Sequence, residues 1–176
     1  MCEKQERDSK DVIVLGIDPG TRITGYGIVR QRAGIHELID YGCIRLPPDH
    51  KLSQRSLILF ESIDHLLEKY KPHALSVETQ YVYKNVQSAM KLGIARGMAI
   101  LASTRRGIPV FEYSPSKAKL AVVGNGRASK QQVQGMMQKL LNLRELPEPE
   151  DAADALALAV CHLHSIHYRL LGGLEV

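Results

Sequence analysis

Two short apolar runs of this chain each end at an acidic residue, and this pattern constrains the fold more than any other. Residues 12–17 are followed by Asp18, and residues 74–77 are followed by Glu78. Short apolar runs are typical of buried strands, and open α/β sheets bind their ligands at the carboxyl ends of such strands. We therefore expect an α/β protein with Asp18 and Glu78 at one edge of its sheet.

Two further acids open an alanine-rich segment near the C-terminus. Asp151 and Asp154 are three residues apart, which places them on one face of a helix, and the rest of residues 151–159 is small or apolar. The alternative is that they are ordinary acids in a helix first turn, where negative charge is favourable; Glu148 and Glu150 fit that alternative better. Four separated carboxylates that could meet at a sheet edge suggest a divalent-metal site, because Mg²⁺ binds through a few carboxylates and substrate phosphates.

The remaining pattern predicts the order β-β-β-α-β-α-β-α-α-α. Predicted strands cover residues 12–17, 25–30, 35–46, 74–78 and 109–113, and predicted helices cover residues 52–70, 85–106, 115–123, 129–143 and 150–168. This order is that of a mixed five-stranded sheet, with three antiparallel strands first, flanked by helices. We expect one domain at 12–169, between a disordered N-terminal extension at 1–11 and a flexible tail at 170–176.

Charge is distributed unevenly along the chain. The net charge is +4, but residues 81–130 contain nine Lys or Arg and one acid, Glu112. Such a local surplus is typical of nucleic-acid binding. The alternative is a solvated face that acids from elsewhere balance in the fold.

Other features predict ordinary roles. The three cysteines are far apart and lack metal-ligand spacing, so we expect free thiols in a reducing cytoplasm. No apolar stretch approaches the roughly 18 residues that a membrane span requires. Ala89, Gly93 and Gly97 form a row of small residues that predicts close packing, either onto the sheet or across a dimer axis. His162 and His164 are interpreted as helix-end or surface residues rather than metal ligands.

Several motifs in order resemble one known family. They are residues 15–27 (LGIDPGTRITGYG), 76–80 (SVETQ), 89–97 (AMKLGIARG), 110–113 (VFEY), 122–124 (VVG) and 151–157 (DAADALA). From residue 12 to about 164, the chain closely resembles the RuvC-type Holliday-junction resolvases of bacteria. That resemblance implies an RNase H-like fold, a homodimer, and Mg²⁺-dependent symmetric nicking of four-way DNA junctions in recombination and repair. It also implies partnership with the RuvA–RuvB branch-migration complex.

The resemblance also assigns site residues. By position, Asp18, Glu78, Asp151 and Asp154 match the catalytic acids and metal ligands of the family. Two Mg²⁺ ions per active site are expected, with Mn²⁺ able to substitute. The nucleic-acid-binding candidates are Tyr81, which replaces a common phenylalanine, and the basic residues Lys84, Lys119, Arg127 and Lys130.

Three other functions stay open at this point. The turn of residues 18–21 (DPGT) also occurs in phosphotransferases of the sugar-kinase and actin type, although 176 residues leave no room for their second large domain. A junction-binding module without catalysis would not require acids facing a polyanion. The third is a related RNase H-like nuclease that acts on RNA. The sequence motifs disfavour it, but the composition does not.

Overall fold

A computed structural model describes residues 11–79 and 86–170. The described residues form five strands and five helices. In chain order these are β1 (Val12–Asp18), β2 (Ile23–Arg32), β3 (Ile35–Arg45), α1 (Leu52–Tyr70), β4 (Ala74–Glu78), α2 (Val86–Arg105), β5 (Val110–Tyr113), α3 (Pro115–Val123), α4 (Lys130–Leu140) and α5 (Glu150–Leu170). The predicted order of elements is confirmed.

The five strands form one mixed sheet in the order β3-β2-β1-β4-β5. The first three strands are antiparallel, and β4 and β5 are added in parallel next to β1. The β2–β3 hairpin turns at Ala33 and Gly34, both with positive φ. The predicted sheet, with three antiparallel strands first, is therefore correct.

Helices cover both faces of the sheet. Alternate residues of β1 point to opposite faces, so Leu15 and Ile17 pack with α1 and α2, while Val14 packs with α4 and α5. The helix α5 crosses β1 and β2 and is buried along most of its length from Ala152 to Leu163. This central position of α5 places its first turn near the carboxyl end of β1.

Local sequence explains where most helices begin and end. Lys71 ends α1 in the left-handed conformation, just before Pro72. Ser114 caps α3 by accepting a hydrogen bond from the Lys117 backbone N–H. The helix α4 ends at Leu140 rather than at the predicted residue 143, because Asn142 has a φ of 50° that an α-helix cannot accommodate.

One expectation about a particular residue is wrong, and one of the two alternatives for Gly93 and Gly97 is excluded. His162 is buried rather than on the surface, because α5 lies between the sheet and α3; its Nδ1 lies 2.7 Å from the Tyr113 hydroxyl. Gly93 and Gly97 do not pack onto the sheet, since a Cβ atom at either position would meet nothing within 4 Å. Among the described helices, none has the length and apolar character needed to cross a bilayer.

Candidate active site

Asp18 and Glu78 lie side by side at the carboxyl edge of the sheet. They end the adjacent parallel strands β1 and β4, whose last paired residues are Ile17 and Val77. Ile17 and Val77 belong to the core beneath α1 and α2. Because side chains alternate along a strand, Asp18 and Glu78 project to the opposite face, which α5 covers.

The turn after Asp18 is fixed by contacts from both the strand and α1. The Gly20 backbone N–H donates to Thr24 Oγ1 at 3.2 Å, and Thr24 is fully buried. The Arg55 guanidinium donates to the Thr21 carbonyl at 3.2 Å. Only glycine fits at position 20, because a Cβ atom there would lie 1.8 Å from the Ile23 carbonyl oxygen. This turn therefore gives the Asp18 carboxylate a defined position.

Three strand glycines allow α5 to approach the sheet. A Cβ atom at Gly16 would lie 2.0 Å from the Ala155 carbonyl oxygen, and one at Gly25 would lie 1.9 Å from the Asp151 carbonyl oxygen. A Cβ atom at Gly27 would lie 2.7 Å from Leu156. The glycines thus position the first two turns of α5, and with them Asp151 and Asp154, against the end of β1.

These glycines are functional residues that the sequence analysis missed. Gly16 and Gly27 are direct partners across β1 and β2, and Gly25 is the partner of Asp18. Glycine inside a strand often marks close approach of another backbone. The Gly25-Tyr-Gly27 spacing, read together with the alanines of residues 152–159, was the available signal.

The acids are close enough to perturb one another. Burial and, after it, the charges of Glu78, Asp154 and Asp151 together raise the pKa of Asp18 from 3.8 to about 8. Burial and then Asp154 raise the pKa of Glu78 from 4.5 to about 7, against the opposing effect of two lysines. The charge of Glu78 opposes ionisation of Asp18. Burial also raises the pKa of Asp154.

Two lysines border this acid cluster, which we define as Asp18, Glu78, Asp151 and Asp154. Lys130 Nζ, at the start of α4, lies 3.5 Å from Asp154 Oδ2 and 3.5 Å from Glu150 Oε2. Burial lowers the pKa of Lys130, but the charges of Asp154, Asp151 and Glu150 outweigh burial and raise it. Lys119 on α3 opposes the raised pKa values of Glu78 and Asp154. Four carboxylates against two ammonium groups leave a deficit of positive charge.

The acid cluster fits a divalent cation by its chemistry. Buried carboxylates ionise at ordinary pH only when a cation compensates them, and Mg²⁺ prefers such oxygen ligands. Within residues 11–79 and 86–170, no three carboxylate, imidazole or thiol groups already converge as a complete ligand set.

The predicted DNA-binding residues differ in whether the structure describes them and whether they lie near the acid cluster. Tyr81 and Lys84 lie outside the described residues. Arg127 is exposed in the α3–α4 loop, where its backbone N–H donates to Asn125 Oδ1, and its side chain forms no ion pair with a described acid. Of the predicted basic residues that the structure describes, Lys119 and Lys130 are brought to the acid cluster and Arg127 is not.

Comparison with known proteins gives consistent matches along most of the chain. The family model described as crossover junction endodeoxyribonuclease RuvC matches residues 14–162. The chain is 62% identical over 154 residues to the protein of that name from Protochlamydia amoebophila, covering 88% of this chain and 92% of the relative. It is 51% identical over 164 residues to the one from Chlamydia abortus, covering 91% and 99%.

Solved structures match the fold. The structure described as Thermus thermophilus RuvC in complex with Holliday junction substrate superposes with a TM-score of 0.83 at 32% identity, covering 92% of this chain and 97% of the other. A further Thermus thermophilus RuvC structure gives a TM-score of 0.80, also at 32% identity. The matches extend over the RNase H-like sheet and favour a nuclease over a phosphotransferase. The chain belongs to the RuvC family of crossover junction endodeoxyribonucleases.

Proposed function

We propose that this endonuclease resolves four-way DNA junctions by Mg²⁺-dependent, symmetric nicking during recombination and repair. One observation carries the proposal. Three separate elements, β1, β4 and α5, bring four acids to one sheet edge, where Asp18 and Glu78 have pKa values of about 8 and 7. A nuclease without a cation would have no use for carboxylates that repel its own polyanionic substrate.

The cation would be held by Asp18, Glu78, Asp151 and Asp154. We expect two Mg²⁺ ions per site, and Mn²⁺ could substitute for them. When bound, Mg²⁺ supplies Lewis-acid stabilisation of the scissile phosphate and an acidified water. The protein itself supplies the position of the acids. The fixed turn after Asp18 and the contact of Gly25 with α5 set how closely the carboxylates can approach.

The lysines at the acid cluster would bind the DNA backbone. Lys119 and Lys130 lie beside Glu78 and Asp154, so a phosphate that reaches the acids also reaches these ammonium groups. Contacts of this kind position DNA without reading its sequence. Tyr81, Lys84 and Arg127 remain further DNA-binding candidates, with Tyr81 suited to stacking on an unpaired base.

We also propose a homodimer that assembles through α2. The face of α2 away from the sheet carries Val86 and Met90, each 65% exposed, and Leu101, 53% exposed. Gly93 and Gly97 lie on the same face with open space beside them. A second copy would cover this apolar face and let the two backbones approach closely. A two-fold dimer would present two identical sites to a junction that needs two nicks.

The test is cleavage of three matched substrates. A synthetic four-way junction, a linear duplex of the same sequence and a folded RNA are each incubated with the protein, with and without Mg²⁺. We expect paired nicks on opposite strands of the junction only, and only with Mg²⁺. Products that keep a 5′-phosphate and a 3′-hydroxyl would agree with direct attack of water on the phosphate.

Other outcomes identify other functions. Cleavage of the RNA in preference to the junction would replace this proposal with an RNA-directed nuclease. Junction binding without cleavage under any metal would point to a binding module. Partnership with a RuvA–RuvB complex and a cytoplasmic location belong to the same proposal; co-purification of the complete three-protein assembly on a junction would test the partnership.

A further inference from the structure

Two basic side chains line a largely apolar groove on the other side of the acid cluster from Lys119 and Lys130. The groove is narrow and lies between the turn after Asp18 and the helices α1 and α2. Gly20 and Thr21 of the turn form one wall, and Arg55 of α1 and Lys91 of α2 contribute the charged groups. The groove therefore borders the turn after Asp18 on the α1–α2 face of the sheet, opposite the face that α5 and Asp151 cover.

Arg55 is held in this groove without a counter-ion. It is half-buried, and its NH1 group donates to the Thr21 carbonyl at 3.2 Å. No acid among the described residues lies within ion-pair distance of Arg55 or Lys91. The Nε atom of Arg55 is buried and has no hydrogen-bond partner in the described part of the chain.

Two other arginines of the same helical layer, neither of them buried, are paired with acids. Arg106 forms a two-bond ion pair with Asp64 and a further contact with Glu68, and Arg96 is paired with Glu112. Removing a cation from water without a partner is unfavourable, and the cost falls when an anion is bound beside it. Arg96 shares the unpartnered Nε atom, so what distinguishes Arg55 is the absence of an acid beside it among the described residues. An anion from outside the protein would compensate that charge.

We propose that this groove binds a backbone phosphate of the DNA strand next to the scissile position, through Arg55 and Lys91. The inference rests on the proposed function, because it assumes a DNA substrate at the acid cluster. The guanidinium is a strong phosphate donor, and Lys91 is exposed on the neighbouring helix and adds a second positive charge. Basic residues then contact DNA on both sides of the acids, from α1 and α2 on one side and from α3 and α4 on the other.

Arg55 also links phosphate binding to the position of Asp18. The same guanidinium that faces the groove supports the Thr21 carbonyl, three residues after Asp18. A phosphate bound here stabilises the side chain in the position that fixes this turn. Arg55 is thus a positioning residue as well as a DNA contact, whereas Lys91 is a DNA contact only.

Salt-dependent junction binding tests the assignment. Binding of a synthetic four-way junction is measured without divalent metal between about 50 and 200 mM salt, for the wild type, Arg55→Gln and Lys91→Gln. Each substitution should lower the slope of log K against log salt by roughly 1, as expected for one lost phosphate contact. The matched control is Lys69→Gln, which removes the same charge from α1 about 21 Å further along the helix and should leave the slope unchanged.

Neutral phosphate substitution distinguishes contact from support of the fold. A methylphosphonate removes the negative charge of one phosphate. When the phosphate neutralised in this way is the one in the groove, the junction should bind Lys91→Gln as tightly as it binds the wild type. An unchanged salt slope for Lys91→Gln would overturn the proposal. A lowered slope that no methylphosphonate position near the scissile phosphate makes equal to that of the wild type would overturn it as well. Both outcomes hold even if Arg55→Gln only destabilises the fold. Failure of the wild type to bind any junction would instead overturn the proposed function, and the groove assignment with it.

Discussion

Asp18→Asn tests both the electrostatics and the chemistry of the acid cluster. The substitution keeps the shape of the side chain and removes its ability to ionise. In the metal-free protein, the Asp18 pKa of about 8 means that the folded state holds a proton at pH 7, whereas the unfolded state, with a pKa of 3.8, has released it. Folding at pH 7 must therefore take up a proton, and this uptake costs stability.

The size of that cost follows from the two pKa values. At 1.36 kcal/mol for each pH unit above 3.8, wild-type Asp18 destabilises the metal-free fold by up to about 4 kcal/mol at pH 7. The penalty is absent below about pH 4, where both states hold the proton, and it grows until about pH 8. Asp18→Asn should therefore unfold at higher urea concentration than the wild type at pH 7, and at a similar concentration at pH 4.

Urea unfolding in the presence of a chelator measures this difference directly. The control is Asp49→Asn, which removes one carboxylate from a side chain that is 82% exposed. Adding Mg²⁺ should then stabilise the wild type and have a much smaller effect on Asp18→Asn, since a ligand that binds only the folded state raises its stability. The variant should bind junctions and fail to nick them.

Two results would refute this reasoning. Equal stability of the wild type and Asp18→Asn across the whole pH range would show that the Asp18 carboxyl carries no burial penalty. Nicking of junctions by Asp18→Asn at the wild-type rate would remove Asp18 from the active site, whatever its effect on stability.

Three further substitutions test the surrounding structure. Gly25→Ala should cost about 1–3 kcal/mol of stability and reduce nicking, because the added methyl group would overlap the Asp151 carbonyl. The control is Gly135→Ala, which has open space around it. Comparable nicking by both variants would show that the close approach of α5 to the sheet is dispensable. Gly93→Leu should give a folded monomer by sedimentation with lost paired nicking, whereas an active dimer would place the interface elsewhere. Lys130→Gln should lower the salt slope of junction binding by roughly 1, and an unchanged slope would contradict a phosphate contact.

The acids illustrate how far sequence can locate a site. Asp18 and Glu78 could be assigned to one sheet edge because each directly follows a buried strand, and parallel strands end at the same edge. That Asp151 and Asp154 share a helix face follows from spacing alone. Their position beside Asp18 cannot be predicted from spacing, because it depends on the close contact of Gly16 and Gly25 with α5.

Long-range charge placement was equally inaccessible from sequence. The basic stretch predicted DNA contacts at residues 81–130, but it could not separate Arg96 and Arg106, which are committed to ion pairs, from Lys91, which is not. Arg55 lies outside that stretch altogether, and only the packing of α1 against the catalytic turn gives it a role. His162 was misassigned for the same reason, since the layers that bury it come from distant parts of the chain.

The sequence by itself therefore determined the order of elements and the mixed sheet, because strand and helix periodicity, caps and turn residues are local properties. It also predicted the four acids as candidates for one site. The tertiary structure alone decided how closely α5 approaches the sheet, how far the Asp18 and Glu78 pKa values rise, and which cations remain unpaired. Those quantities depend on distances between residues far apart in the chain, and electrostatic and steric energies change steeply over the few ångströms that packing sets.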